Sequence, residues 1–364
     1  MVHVGSFGMT AGLHALDRHG DQDSTEGMLD FAVNVRGPAP AFVRAAIANT
    51  LDGLARYPSV AEAERAAAVI ADLHGRTSSE VMLLAGASDG FELLPRLGST
   101  HAALVQPSFT EPELILRAAG MQITQVIAEP GGELSSVAHA IPDDADLVVI
   151  GNPTNPTSML HAASEIEAIR RAGRIIVVDE AFADLTLDPA TGRTEPQSLA
   201  GHRYFDTIVM RSVTKTFGLA GLRAGYLLAD SELIERLSAG RRAWPLSSPA
   251  VAALAACCGP AGAAFCAQQA AAVAAEREYL VSRLAGIGLG VCAPPAAPFV
   301  LLEVPGALAI RERLRAEAIA VRSCANFVGL TDDHLRLAVR PAEQVDRLVT
   351  ALDRAREEMT VGAR

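Results

Sequence analysis

The stretch 211-RSVTKTFGLAGLRAGYL-227 contains Lys215, the only lysine in a chain of 364 residues whose 31 Lys plus Arg are otherwise all arginine. A strand-like run ends at Arg211, the hydroxyl residues Ser212 and Thr214 precede the lysine, and small residues lead on to Arg223. Arginine replaces lysine almost everywhere and alanine is abundant, as under a base-composition bias, so rarity alone assigns Lys215 no task. Its chemistry does. A primary amine loses its proton and forms a Schiff base with a carbonyl, whereas a permanently charged guanidinium does not.

Three further features lie where apolar runs end, the edge at which open α/β sheets bind ligands. "GASDGFELL" follows "VMLL", and its small residues let helix-start amides at Ala87 and Ser88 approach an anion. "GNPTNPTSML" follows "LVVI". Its Asn-Pro pairs stiffen the turn, because residues before proline avoid the α region. The carboxamide of Asn155 there serves either the turn or a ligand oxygen. "VVDEAF" leaves Asp179 at the end of a buried strand, where a carboxylate is costly unless a cation meets it. A cofactor cation and a structural arginine are both open as that partner.

The runs "VMLLAG", "HAALVQP", "DLVVIGNP", "RIIVVDEA", "TIVMRS" and "AGYLLAD" read as strands, with helices such as "SDGFELLPRL" and "AASEIEAIRRAG" between them. Continuous Val/Ile/Leu runs alternating with helices predict an α/β fold with a mostly parallel sheet. Beyond about residue 240 the pattern changes to an Ala-rich helical region, "FVLLEV", the helix "ALAIRERLRAEA", "IAVRS", "HLRLAVR" and a final helix from Pro341, the outline of a smaller α+β domain. The expected organisation is an N-terminal segment (1–35) packing on the small domain or the site, a large domain (36–240) and a small domain (241–364) sharing one cleft.

Half of the residues are hydrophobic and 20% charged, the balance of a soluble globular protein, and a net charge of −11 argues against a nucleic-acid or anionic-membrane surface. The N-terminus lacks a basic segment followed by an apolar run, so no signal peptide is expected. The Ala-rich stretch is interrupted by Gly259, Pro260 and Gln268–Gln269 and reads as helices of a soluble domain. Five cysteines (Cys257, Cys258, Cys266, Cys292 and Cys324) lack metal-ligand spacing. They predict buried or incidental thiols in a reducing cytoplasm and no metal site.

Together the four features resemble the aspartate-aminotransferase fold of pyridoxal-phosphate enzymes, fold-type I, over nearly the whole chain. "SVTKTFGLAGLRAGY" resembles the pattern SxTKxxxLxGLRxGY, "NPTNPTS" the family's NPNNPTG, and "DEAF" its DEAY. The resemblance implies a seven-stranded large-domain sheet and pyridoxal 5′-phosphate as cofactor. Lys215 would hold the cofactor covalently and move a proton, and Asp179 would keep the pyridine nitrogen protonated. Asn155 would bond the ring's 3′-oxygen. Ala87, Ser88, Ser212, Thr214 and Arg223 would cradle the phosphate, with Phe109 stacked on the ring. Tyr57, in "RYPS", would reach the neighbouring subunit's cofactor phosphate, implying a homodimer. Phe182 stands in place of a tyrosine and Ser158 in place of a glycine.

Near the C-terminus "AVRSCANFVGL" and "HLRLAVRP" supply Arg322, Arg336 and Arg340, whose planar forks suit carboxylate or phosphate. Arg336 matches the family's substrate-anion arginine. The RxCxNFxGL pattern, Asp184 after "DEAF", and His19–Gly20 resemble a cobalamin-pathway branch. That branch includes L-threonine-O-3-phosphate decarboxylases and is close to histidinol-phosphate aminotransferases. Asn34 and His19 join the substrate-binding candidates. The branch's NxNPLGPP is replaced by the shortened "NVRGPAP" from Asn34 to Pro40, which normally covers the substrate. The expected activity is therefore transamination of a small phosphorylated amine with a 2-oxo acid, of the histidinol-phosphate type. Threonine-phosphate decarboxylation is the alternative and a catalytically inactive cofactor-binding protein the third reading. A transcription regulator on this fold is not expected, since "GASDG" begins by residue 86 and leaves no room for a helix-turn-helix module.

Overall fold

The computed structural model describes Leu16 and residues 20–362. After a short strand, β1 (Leu29–Asp30), the chain builds a seven-stranded sheet. Its strands are β2 (Val81–Leu84), β3 (His101–Gln106), β4 (Gln122–Ile127), β5 (Leu147–Gly151), β6 (Ile175–Asp179), β7 (Thr207–Ser212) and β8 (Gly225–Leu228). The order across the sheet is β2-β8-β7-β6-β5-β3-β4, and only β8 runs against the others. Both faces are covered, which is why the middle of each central strand is apolar. Val148 and Ile150 of β5 pack on one face with Ile70 and Leu254 from the helices Val60–Leu73 and Ser248–Cys258. Leu147 and Val149 pack on the other with Phe91 and Leu233 from Ala87–Leu93 and Ser231–Ser238.

The six expected large-domain strands form where the apolar runs place them. The seventh, β4, has no apolar run because it is the edge strand left open to solvent: unlike β2 at the other edge, which is buried throughout, its burial falls away and Gln122 and Ile127 are exposed.

The C-terminal part centres on an antiparallel sheet of β9 (Phe299–Glu303), β11 (Arg322–Ser323) and β12 (His334–Ala338), with β12 in the middle. The run "IAVRS" is divided: β10 (Ile319–Ala320) pairs in parallel with β1, while β11 pairs with β12. Phe31, directly after β1, is fully buried in this second core with Leu280, Ile310 and Leu348. The Ala-rich region forms two helices, Ser248–Cys258 and Pro260–Gly286, bent by 68° at Gly259. Among the described residues no single helix is long and apolar enough to cross a membrane; that pair meets the length and composition only jointly. All five cysteines are free thiols.

Candidate active site

The strands β2, β3, β5, β6 and β7 run the same way, so their carboxyl ends converge on one edge of the sheet. There a cavity of about 500 Å³ opens between the sheet, the segment 32–35 and Arg336 of β12. It is lined by Asn34, Ala87, Ser88, Phe109, Asn155, Asp179, Ser212, Thr214, Lys215, Arg223 and Arg336. Eleven of the residues singled out in the sequence, drawn from seven separate segments, therefore meet in one place.

Asp179 ends β6, half-buried, and accepts a hydrogen bond from the Ala181 amide at 3.1 Å. Burial pushes its carboxyl up to about 6, opposed by that hydrogen bond and by the charge of Lys215. Asp179 and Lys215 thus face the same space as opposite charges. The next residue, Glu180, points to the other side of the sheet, where Arg211 takes it at 2.9 Å. The structural-arginine alternative in "DEAF" is thereby satisfied by Glu180, and Asp179 is left to the cavity.

Asn155 presents its carboxamide oxygen to Arg336 Nη1 at 2.6 Å. Because arginine only donates, this contact fixes the amide orientation and leaves Nδ2 as the free donor. Arg336 is buried; its Nη2 donates to the Ala32 carbonyl at 2.5 Å, and its Nε has no partner. Burial lowers its pKa to about 10, so the guanidinium keeps its charge at neutral pH. The Thr214 hydroxyl is likewise buried without a partner, and so is the Asn34 side-chain oxygen.

At the phosphate-cradle end, Gly86 has φ of 86° and a Cβ there would stand 2.9 Å from Arg223 Nη2. Only a residue without a side chain lets that guanidinium lie against the turn. Ser212 Oγ accepts from the Thr214 amide at 3.2 Å, and both belong to the turn that carries Lys215. The donor set, the orphaned Thr214 hydroxyl and the Arg223 guanidinium fit a phosphate, and the Asp179 carboxylate fits a cationic ring nitrogen. Phe109 forms part of the wall, its ring 6.4 Å from Phe91. Phe182 also lines the cavity and packs edge-on against Phe299 at 5.0 Å, so no hydroxyl supplements Asn155 from that position.

Among the described residues three candidates are not in the cavity wall. Arg322 is buried beside it but donates to Asp23 at 3.1 Å and Asn326 at 2.9 Å. Asp23 also holds Arg311 at 2.8 Å, so Arg322 belongs to a network anchoring the N-terminal segment. Arg340 donates to the carbonyls of Asp30 at 2.8 Å and Val33 at 2.5 Å, tying down the same segment. Tyr57 is 74% exposed and stacks on Trp244 at 4.1 Å. His19 lies outside the described residues.

The sequence reading passed over Glu111, which lines the cavity and accepts from Ser88 Oγ at 2.7 Å. Its only signal was an acid two residues beyond Phe109 at a helix start. The arginine in the altered "NVRGPAP" segment does not face the cavity. Arg36 turns away to Glu276 at 2.5 Å, so it is no substrate ligand.

Comparison with known proteins places this arrangement among relatives. Residues 26–352 match the family described as aminotransferase class I and II. A histidinol-phosphate aminotransferase of Mycobacterium tuberculosis is 47% identical over 333 residues, 91% of this chain and 89% of that protein. A threonine-phosphate decarboxylase of a Sinorhizobium species is 32% identical over 276 residues, 73% of this chain and 76% of that one. The structure of the histidinol-phosphate aminotransferase of Sinorhizobium meliloti in complex with pyridoxal-5′-phosphate superposes with a TM-score of 0.80 at 20% identity, covering 98% of this chain and 96% of that one.

Proposed function

Because the chain belongs to the class I and II aminotransferases, we propose that it transfers the amino group of a small phosphorylated amine of the histidinol-phosphate type to a 2-oxo acid. The observation that carries this reading is a single cavity holding the chain's one lysine, a carboxylate raised by burial, and a buried guanidinium held by Asn155 with its Nε unpartnered. The cofactor is pyridoxal 5′-phosphate, which supplies an electron sink for the carbon bearing the amine.

The protein's part is positioning and proton traffic. Lys215 Nζ is the base that takes the proton from that carbon and returns it, a duty a permanent cation does not perform. Asp179 would hold positive charge at the ring nitrogen, an interaction that would offset the burial of its carboxylate. Asn155 Nδ2 would donate to the ring oxygen, while Thr214, Ser212 and Arg223 would take the phosphate. Arg336, with Nε unpartnered, receives the anion of the amino substrate. We further propose a homodimer in which Tyr57 reaches the partner's site. Its exposed ring, with Trp244, Leu51, Leu54 and Val60 also exposed, supports this reading.

Purified protein split between two assays tests the proposal: glutamate formation from histidinol phosphate and 2-oxoglutarate, and CO₂ release from threonine phosphate. Activity in the first is expected. Activity in the second alone replaces the reading by the decarboxylase, and activity in neither removes both. Lys215→Arg is the control. It should fold, gain no cofactor mass after borohydride reduction, and lose turnover on the order of 10³-fold.

A further inference from the structure

Lys215 sits in a loop whose backbone is held from two sides, and both supports rest on the long helix Pro260–Gly286. On one side Thr216, the next residue, donates its buried hydroxyl to Asp184 Oδ2 at 2.7 Å. Asp184 lies in the turn Ala183–Leu185, just beyond the strand carrying Asp179, and the Cys266 thiol of the long helix approaches the same oxygen at 3.7 Å. Its Oδ1 is buried without a hydrogen-bond partner, so the buried carboxyl group holds Thr216 through Oδ2.

On the other side the Arg36 amide donates to the Lys215 carbonyl at 2.9 Å. The Arg36 side chain reaches Glu276 of the long helix at 2.5 Å and Gln269 at 3.4 Å. The segment is pressed on the loop: a Cβ at Gly218 would stand 2.3 Å from the Gly37 carbonyl. The altered "NVRGPAP" segment thus has a use for its arginine away from the substrate.

We propose that Asp184–Thr216 and Glu276–Arg36 form a two-armed clamp that sets the position of the Lys215 amine, making these four positioning residues for proton transfer. A displacement of about 1 Å at a reacting atom costs on the order of 10²-fold in rate, so a support that never touches substrate still acts on kcat. The clamp rests on the functional reading only for what the amine does, since its effect on Lys215 is measurable without turnover.

The test uses the fact that Lys215 is the only lysine. Cofactor-free protein is labelled with an amine-reactive ester, and the peptide containing residue 215 is followed by mass spectrometry, separately from the N-terminal amine. The variants are Thr216→Val, Thr216→Ser, Arg36→Gln and Glu276→Gln. Thr216→Val and Glu276→Gln should each label about threefold faster or more. In the loaded enzyme they should lower kcat about tenfold or more while KM for the amino donor stays within about twofold. Thr216→Ser, which keeps the hydroxyl, should restore both readouts. Wild-type labelling and kcat in Thr216→Val and Glu276→Gln overturn the clamp, as does Thr216→Ser being as impaired as Thr216→Val. If Thr216→Val fails to fold, Arg36→Gln and Glu276→Gln decide by the same criteria. Should the wild type turn over neither substrate, the functional reading fails and the labelling comparison still judges the clamp.

Discussion

Asp179 and Asp184 are two aspartates that burial pushes up to about 6 from 3.8, five residues apart and serving different surroundings. Asp179 faces the cavity with Lys215 and Glu111 nearby; Asp184 lies between Thr216, Cys266, Arg211 and Glu195. In both, the folded chain binds a proton that the unfolded chain has released between about pH 4 and pH 6. Stability of the cofactor-free protein should therefore fall as pH rises through that window and level off above it. Urea midpoints measured across the window should decline in wild type and decline less in Asp179→Asn. Pyridoxal phosphate should flatten the wild-type curve, because Asp179 then meets a cation, and leave Asp179→Asn unchanged. Equal slopes in wild type and Asp179→Asn would show that its carboxyl is not raised. Lys215 was legible in the sequence because it is the only lysine, and Asp179 because a carboxylate closes a buried Ile/Val run. Glu111 was not, because acids at a helix start are common and only the fold turns this one inward.

At the scale of elements, the turn after β5 shows how one substitution can be compensated. Ser158 replaces a glycine of the family pattern and has φ of 66°, a left-handed conformation that disfavours side chains. Its hydroxyl accepts from the Ala297 amide at 2.8 Å and its carbonyl from the Ala296 amide at 2.9 Å, joining the large-domain turn to the segment before β9. Ser158→Ala keeps the strain and strands a buried N–H, a cost of about 1–3 kcal/mol. Ser158→Gly strands the same group but relieves about 1 kcal/mol of strain. Chemical denaturation should therefore rank wild type above Ser158→Gly and Ser158→Gly above Ser158→Ala. An alanine variant as stable as the glycine one would remove the strain from this account. The strands themselves were legible wherever burial forces an apolar run, at the covered edge β2 as in the centre, and β4 was not, because its side chains are largely open to solvent.

For the whole molecule, the exposed stack of Tyr57 on Trp244 is the feature that a lone chain leaves without purpose. In the proposed homodimer, Trp244→Ala should raise the dimer dissociation constant about tenfold or more, read by sedimentation over a dilution series, with weaker cofactor retention in parallel. A wild type that sediments as a monomer at micromolar concentration would remove the dimer. The sequence by itself determined the fold class, the cofactor and most of the residues that line the cavity. Those residues sit at the carboxyl ends of consecutive parallel strands, and a parallel sheet must bring such ends together on one edge. It did not determine which arginine faces the substrate. Arg322 and Arg336 stand directly opposite each other on β11 and β12, yet Arg336 enters the cavity while Arg322 meets Asp23. Arg340 and Arg36 are likewise claimed by backbone carbonyls and by Glu276. An arginine's task depends on which acceptors lie within reach of its long side chain, and those come from segments hundreds of residues away in sequence. Only the packing of the N-terminal segment against the small domain decides that.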